Sequence, residues 1–195
     1  MVAKKSVEPE LQTGVDGGRF EQFSLPTDEA FLEKLLTDIF ENYWDGIVFG
    51  PIIQGGAFEF KCTNKPEKII LYDGYLTVVT GNEGSHFHLC IGENKGSSKN
   101  PTPESLKKHR CTARAEFFRG LNTEDQPVNW GLQLFNGKGE QQISVFMPSP
   151  FISDDGKILK KPEWPRLATW EALTKTYLNR DPDLKDRTAK KFAHT

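Results

Sequence analysis

The side chains able to do chemistry in this 195-residue chain crowd into one stretch. Three of its four histidines and two of its three cysteines lie between positions 86 and 111. Within that stretch, His86-Phe87-His88-Leu89-Cys90-Ile91 alternates polar and apolar residues. In a strand, alternate side chains share a face. His86, His88 and Cys90 therefore point one way, and Phe87, Leu89 and Ile91, the natural core set, point the other. Two imidazoles at i and i+2 can converge on one ion, a thiolate at i+4 can join them with modest twist, and Glu93 follows closely enough to add an oxygen. Such donors suit a divalent transition metal: zinc, iron, copper or nickel. Three ligands with open positions would serve hydrolysis or oxygen chemistry, and the pattern does not choose between them. The competing reading makes His86 and His88 ordinary hydrogen-bonded strand residues and Cys90 a small core filler, because cysteine is among the most buried residue types.

A second set follows. Thr102 can cap a helix, Pro103 fits its first turn, and helical spacing predicts that it runs to about Leu121. Its apolar arc would hold Leu106, Cys111, Ala113, Phe117, Phe118 and Leu121, with Arg110 and Arg114 inside the arc and His109 at its edge. An arginine on a core-facing stripe is paired or snorkels to water. The bland reading is an internal salt bridge to Glu116, Glu59 or Asp73. The functional one is a clamp for a carboxylate or phosphate, formed by Arg110, Arg114 and His109. A third possibility is a redox-responsive thiol at Cys90 or Cys111, which needs exposure and a lowered pKa. Phosphate-loop, dinucleotide, nucleophile-elbow and zincin-helix signatures are absent from the sequence.

These residues need elements to position them. Phe31, Leu32, Leu35, Leu36, Ile39, Phe40 and Tyr43 recur at helical spacing behind a Thr27 cap and end before Asp45-Gly46. The period then changes to two. Ile47 to Ile53 and the alternating Phe58, Phe60 and Cys62 predict strands, the latter with one face buried. Asp73-Gly74 predicts a tight hairpin between Ile69–Tyr72 and Tyr75–Val79. Trp130, Leu132 and Leu134 would face Ile143, Val145 and Met147 across a second hairpin. Leu167, Trp170, Leu173 and Tyr177 mark a final helix. Strands follow strands, so the expected class is α+β: a meandering antiparallel sheet of about six or seven strands packed with about three helices.

Composition bounds the rest. Twenty-five basic residues face 27 acidic ones, a net charge of −2, so no long-range field draws nucleic acid or an anionic membrane. No run approaches the ~20 apolar residues of a membrane span. Three cysteines without CxxC spacing fit a reducing compartment, and the cytoplasm is the expected location. Residues 1–20 read as a flexible lead-in, 21–180 as a single α+β domain, and 181–195 as a charged tail. Homo-oligomerisation stays open.

The spacing of Gly81, His86, His88 and Glu93 resembles the first cupin motif; a cupin adds a histidine from a later strand, whereas here only His194 lies beyond position 109. The segments SHFHLCIGENKG and WGLQLFNGKGEQQISVFMPSPF together resemble an uncharacterised bacterial family, cyanobacterial members included. That resemblance implies one intact domain and no mechanism. The expectation is a small-ligand or metal-ion binding protein using the His-x-His strand beside an Arg-bearing helix. Its alternative is a noncatalytic interaction or regulatory protein with no metal site.

Overall fold

The computed structural model describes residues 8–14, 17–53, 55–81 and 84–192. In chain order these form β1 (Glu10–Thr13), β2 (Arg19–Leu25), α1 (Glu29–Asn42), β3 (Val48–Gly50), β4 (Ile52–Ile53), β5 (Gly56–Ala57), β6 (Lys68–Tyr72), β7 (Tyr75–Val79) and β8 (His86–Cys90). There follow β9 (Gly96–Ser97), β10 (Asn100–Pro101), α2 (Glu104–Arg110), β11 (Thr112–Leu121), β12 (Pro127–Asn136), β13 (Gln141–Phe146) and α3 (Ala168–Leu178). A six-stranded sheet runs β1-β2-β11-β12-β13-β3, and a three-stranded sheet runs β6-β7-β8. With three α-helices, this is the α+β class that the strand-after-strand pattern predicts. No helix among the described residues is long and apolar enough to cross a membrane.

Two compact units divide the chain: Pro26–Ala115 with Gln133–Val145, and Met1–Leu25 with Glu116–Leu132 and Phe146–Thr195. In the unit that contains β6, β7 and β8, Asp28 caps α1 by accepting from the Phe31 amide at 3.0 Å, one residue later than Thr27. The buried stripe of α1 is Leu32, Leu35, Leu36, Ile39 and Phe40. Phe40 meets Phe49 and Phe87 at ring separations of 5.0 and 5.3 Å, and those two rings lie 5.4 Å apart. Asp73 and Gly74, at φ +47° and +76°, turn the β6–β7 hairpin. That is the left-handed pair such a two-residue loop needs. A Cβ at Gly74 would stand 2.6–2.7 Å from the Gly92 and Glu93 backbones, so only glycine fits.

Two expectations are corrected here. The second helix stops at Arg110, and Thr112–Leu121 is a ten-residue strand. Buried on both faces from Ala115 onward, β11 sets buried Glu116 and Arg119 among Phe117, Phe118 and Leu121, so burial along it does not follow the polar–apolar pattern that marks a half-buried strand. The Thr112 hydroxyl fixes the change of course by bonding the Cys90 carbonyl and Gln142 Oε1, at 3.0 and 2.8 Å. Phe58 and Phe60 do not form a half-buried strand: they are 54% and 53% exposed, and Phe60 only bridges Phe49. The stretches read as lead-in and tail carry β1, paired with β2, and a 3-10 turn at Leu184–Arg187; residues 1–7 and 193–195 lie outside the described residues.

That 3-10 turn matters to the second unit. Asp186, 2% exposed, accepts from the indoles of Trp130 and Trp170 at 2.8 and 3.0 Å and from Arg119 Nη1 at 2.9 Å. Arg119 also donates to Glu21 at 2.5 Å and to Asp183 at 2.9 Å. A buried guanidinium needs this much negative charge and hydrogen bonding to offset its lost hydration. Around it pack Phe23, Phe117 and Trp170, edge to face at 5.9 Å.

Replacing Asp186 with Ala should cost about 3–5 kcal/mol, since it strips a partner from a buried cation and two indoles. Urea unfolding followed by circular dichroism checks this, and a loss below about 1 kcal/mol would contradict it. Burial pushes the Glu21 carboxyl up, but Lys185 and Arg119 outweigh it and hold the group below the usual glutamate range. Asp183 is likewise raised by burial and lowered further by the Lys185 amide and Arg119. Both folded pKa values are depressed, so their stabilisation is present above the ordinary values of 4.5 and 3.8 and fades as pH falls below them. Urea midpoints should therefore drop on acidification through that range, and Glu21→Gln should flatten the drop.

Candidate functional site

The register of the three-stranded sheet decides what β8 offers. Val79 pairs with His86, Val78 with Phe87, Thr77 with His88, Leu76 with Leu89 and Tyr75 with Cys90, while Ile70 pairs with Thr77 and Lys68 with Val79. One face thus carries Ile69, Leu71, Leu76, Val78, Phe87 and Leu89. The other carries Lys68, Ile70, Tyr72, Tyr75, Thr77, Val79, His86, His88 and Cys90. Leu76, Val78 and Leu89 are buried, whereas His86 and His88 are exposed. The sequence alternation separated these two sets of residues without deciding whether the histidine face is open or covered.

The imidazoles of His86 and His88 lie 5.0 Å apart, centroid to centroid, at 75°. His86 Nδ1 sits 3.0 Å from the Gly84 carbonyl. A carbonyl only accepts, so Nδ1 carries the proton and Nε2 of the neutral ring presents a lone pair. His88 Nδ1 sits 2.7 Å from the Thr77 hydroxyl. That hydroxyl can accept from Nδ1–H, again leaving Nε2 as the open nitrogen. Metal-ligating histidines are held this way, with one ring nitrogen tied to a carbonyl or other acceptor and the second facing the ion.

Along the edge of β8 that β7 does not use lie two clefts. The first, about 150 Å³, is lined by Phe49, Phe60, Lys61, Thr80, His86 and Phe87. The second, about 210 Å³, is lined by Phe49, Phe60, Phe87, His88, Gln142 and Ile143, among others. Three phenyl rings are common to both. Antiparallel pairs exchange backbone bonds at alternate residues. Thr80 bonds Ser85, and Ile91 bonds Gly74, so Phe87 and Leu89 pair toward β7 while the amides of His86 and His88 face the clefts.

The remaining sequence candidates take other places. Cys90 is buried with Sγ 3.5 Å from the Gly92 carbonyl; burial first, then the Cys111 thiol, pushes its pKa up to about 11. It is a neutral thiol at physiological pH. Burial also raises Cys111. Glu93 pairs with Lys107 at 2.9 Å. Among the described residues no three His, Cys, Asp or Glu side chains are grouped to hold one ion. Arg110 donates to Asn94 Oδ1 at 3.0 Å and reaches the Tyr75 hydroxyl. Arg114, now on β11 and exposed, stacks 3.5 Å over Phe135. His109 meets Glu140 at 2.9 Å. The single helical arc that was to carry Arg110 and Arg114 is not formed, because Cys111 leaves α2 in extended geometry. The clefts themselves escaped sequence reading. Their signal was Phe60, an apolar residue beside a Gly-rich turn with no strand partner of regular length.

In solution, native Cys90 should resist alkylation at pH 8 and react only after denaturation. Mass spectrometry of iodoacetamide-treated protein checks this, and modification of the folded chain within minutes would contradict it.

A family of unknown function (DUF7676) matches residues 9–179. No curated protein matches the chain. Among solved structures, "Crystal structure of ChuX" is similar at a TM-score of 0.51 and 12% identity, over 82% of this chain and 78% of that one. "Structure of the Heme Binding Protein ChuX" aligns at a TM-score of 0.49 and 12% identity, over 80% and 76%. At that identity the first likeness establishes a shared fold.

Proposed function

This chain belongs to DUF7676, a family of unknown function, and we propose that its His86–His88 face binds a small ligand through imidazole nitrogen. The observation that carries the reading is the pair of Nδ1 anchors. The two rings lie 5.0 Å apart, Gly84 fixes the His86 tautomer that leaves Nε2 with a lone pair, and Thr77 holds His88 by its Nδ1, so that Nε2 is the outward nitrogen of both rings.

The ligand class follows from the walls. Phe49, Phe60 and Phe87 offer an aromatic lining, with Phe60 and Phe87 tilted 36° and 46° to the Phe49 ring, and Lys61 lines the first cleft beside them. Neither cleft alone reaches the roughly 300 Å³ of a site that encloses a drug-sized molecule. A bound molecule therefore lies partly over the open sheet face, near the imidazoles. A metal-bearing ligand with an apolar body suits such donors and rings. ChuX is described as a heme binding protein; in this chain, haem is the natural first probe, since imidazole is a common axial ligand for its iron. His86 and His88 are the donors assigned here. Cys90, protonated by burial, and Glu93, tied to Lys107, are left outside this set. His109, Arg110 and Arg114 keep their local partners and are not needed by this reading.

Titrating metal-free protein with hemin should produce a red-shifted Soret band with a saturable midpoint. His86→Ala with His88→Ala should weaken binding at least tenfold and change the spectrum. Phe60→Asp should weaken it without moving the band of the bound form, because it removes wall and not ligand. Thr77→Val should weaken binding by about tenfold, the lower end of the roughly 10–100-fold that loss of such an anchor costs at a metal site. Hemin binding and spectrum unchanged in the double histidine variant would refute the proposal.

A further inference from the structure

We infer that two copies of this chain join face to face across one divalent transition-metal ion of the zinc class, held by His86 and His88 of each copy. The inference rests on the imidazole-donor reading above and adds its partner.

The donor count comes first. Two imidazoles stand 5.0 Å apart on one strand. Among the described residues, no third His, Cys, Asp or Glu is grouped with them. Zinc in a closed site takes four ligands in a tetrahedron. A two-fold axis through the ion turns two donors into four without any residue from elsewhere in the chain. Isologous contacts of this kind are the commonest way that soluble chains associate.

The direction of the donors is the second observation. Anchoring at Gly84 and Thr77 occupies Nδ1, the nitrogen nearer the backbone, in both rings. The open Nε2 is the distal atom of a side chain that stands away from the sheet. An ion bound there sits off the sheet surface, over the face opposite to Phe87 and Leu89. That is where a second copy, presenting the same face, reaches it.

The third is the surface around them. Ile70 lies across Thr77 from His88, and Tyr72 lies two residues along the same strand. They are 48% and 80% exposed. Both side chains share the sheet face of the two imidazoles, so a second copy presenting that face would meet apolar surface beside the donors. Two-fold packing would cover both in each copy and shield the ion from water.

The test uses the full chain stripped of metal by chelation. Sedimentation velocity should show a 22.1-kDa monomer. Adding zinc should produce a dimer containing one zinc per two chains, and excess chelator should reverse it. His86→Ala with His88→Ala should abolish the shift. Ile70→Lys, which leaves both donors in place, should raise the protein concentration needed for the zinc dimer at least tenfold, with an unchanged circular dichroism spectrum. One zinc per chain on a protein that stays monomeric would overturn the shared site while leaving the imidazole donors standing. No zinc binding in the wild type would overturn the bridge, and the hemin titration then decides separately whether the donors serve another ligand. A dimer indifferent to chelator and to the double histidine change would overturn the role of the metal.

Discussion

Everything distinctive about β8 depends on its register against β7. Phe87 faces inward because it meets Phe40 and Phe49, and Leu89 because its place opposite Leu76 is buried. With a side-chain period of two, that choice sends His86 and His88 outward at the same time. A one-residue slip would place both imidazoles in an apolar core and two large apolar side chains in water. The register is pinned at both ends: Thr80 donates to the Ser85 carbonyl at 2.9 Å, and Ile91 and Gly92 donate to Gly74 at 2.9 and 3.0 Å. The hydrophobic core and the candidate site are thus two readings of one constraint.

A different balance rules the unit built around Arg119. There the organising group is charged and buried. Burial would lower the guanidinium's pKa, but Asp186 and Glu21 more than offset that and keep it charged. The carboxylates come from two separated parts of the sequence, Glu21 from one and Asp183 and Asp186 from the other. One cation therefore gathers the second strand, the eleventh strand and the last turn of the described chain. The aromatic rings of Phe23, Phe117 and Trp170 supply the apolar area around it, and the two indole N–H groups find their acceptor on the same carboxylate.

How much of this was legible in the sequence varied with how local its cause was. Helix α1, the Asp73-Gly74 turn and the alternation of β8 were readable because each depends on a few neighbouring residues. The alternation set His86 and His88 on the face opposite Phe87 and Leu89, and only the structure shows that this face is open at the two histidines and closed at Cys90. Thr112–Leu121 was misread as helix because a strand buried on both sides has no period of its own to display. At the turn after Cys111 the single Thr112 hydroxyl proton is shared between the Cys90 carbonyl and Gln142 Oε1, on residues 22 and 30 positions away. The anchors on the two imidazoles were equally hidden. Gly84 and Thr77 are unremarkable in the sequence, and only the hairpin places them against Nδ1. Asp186 looked like part of a solvated charged tail because charge patterning says nothing about a buried partner 67 residues earlier.

Two of the four tryptophans share a single carboxylate, and this gives the protein an optical property. The emission of an indole shifts with the polarity and charge around its nitrogen, so Trp130 and Trp170 report together on whether the Leu184–Arg187 turn is seated. A change in how those late residues sit would alter both chromophores at once, without any label. The protein carries, in effect, its own fluorescent gauge of its last turn.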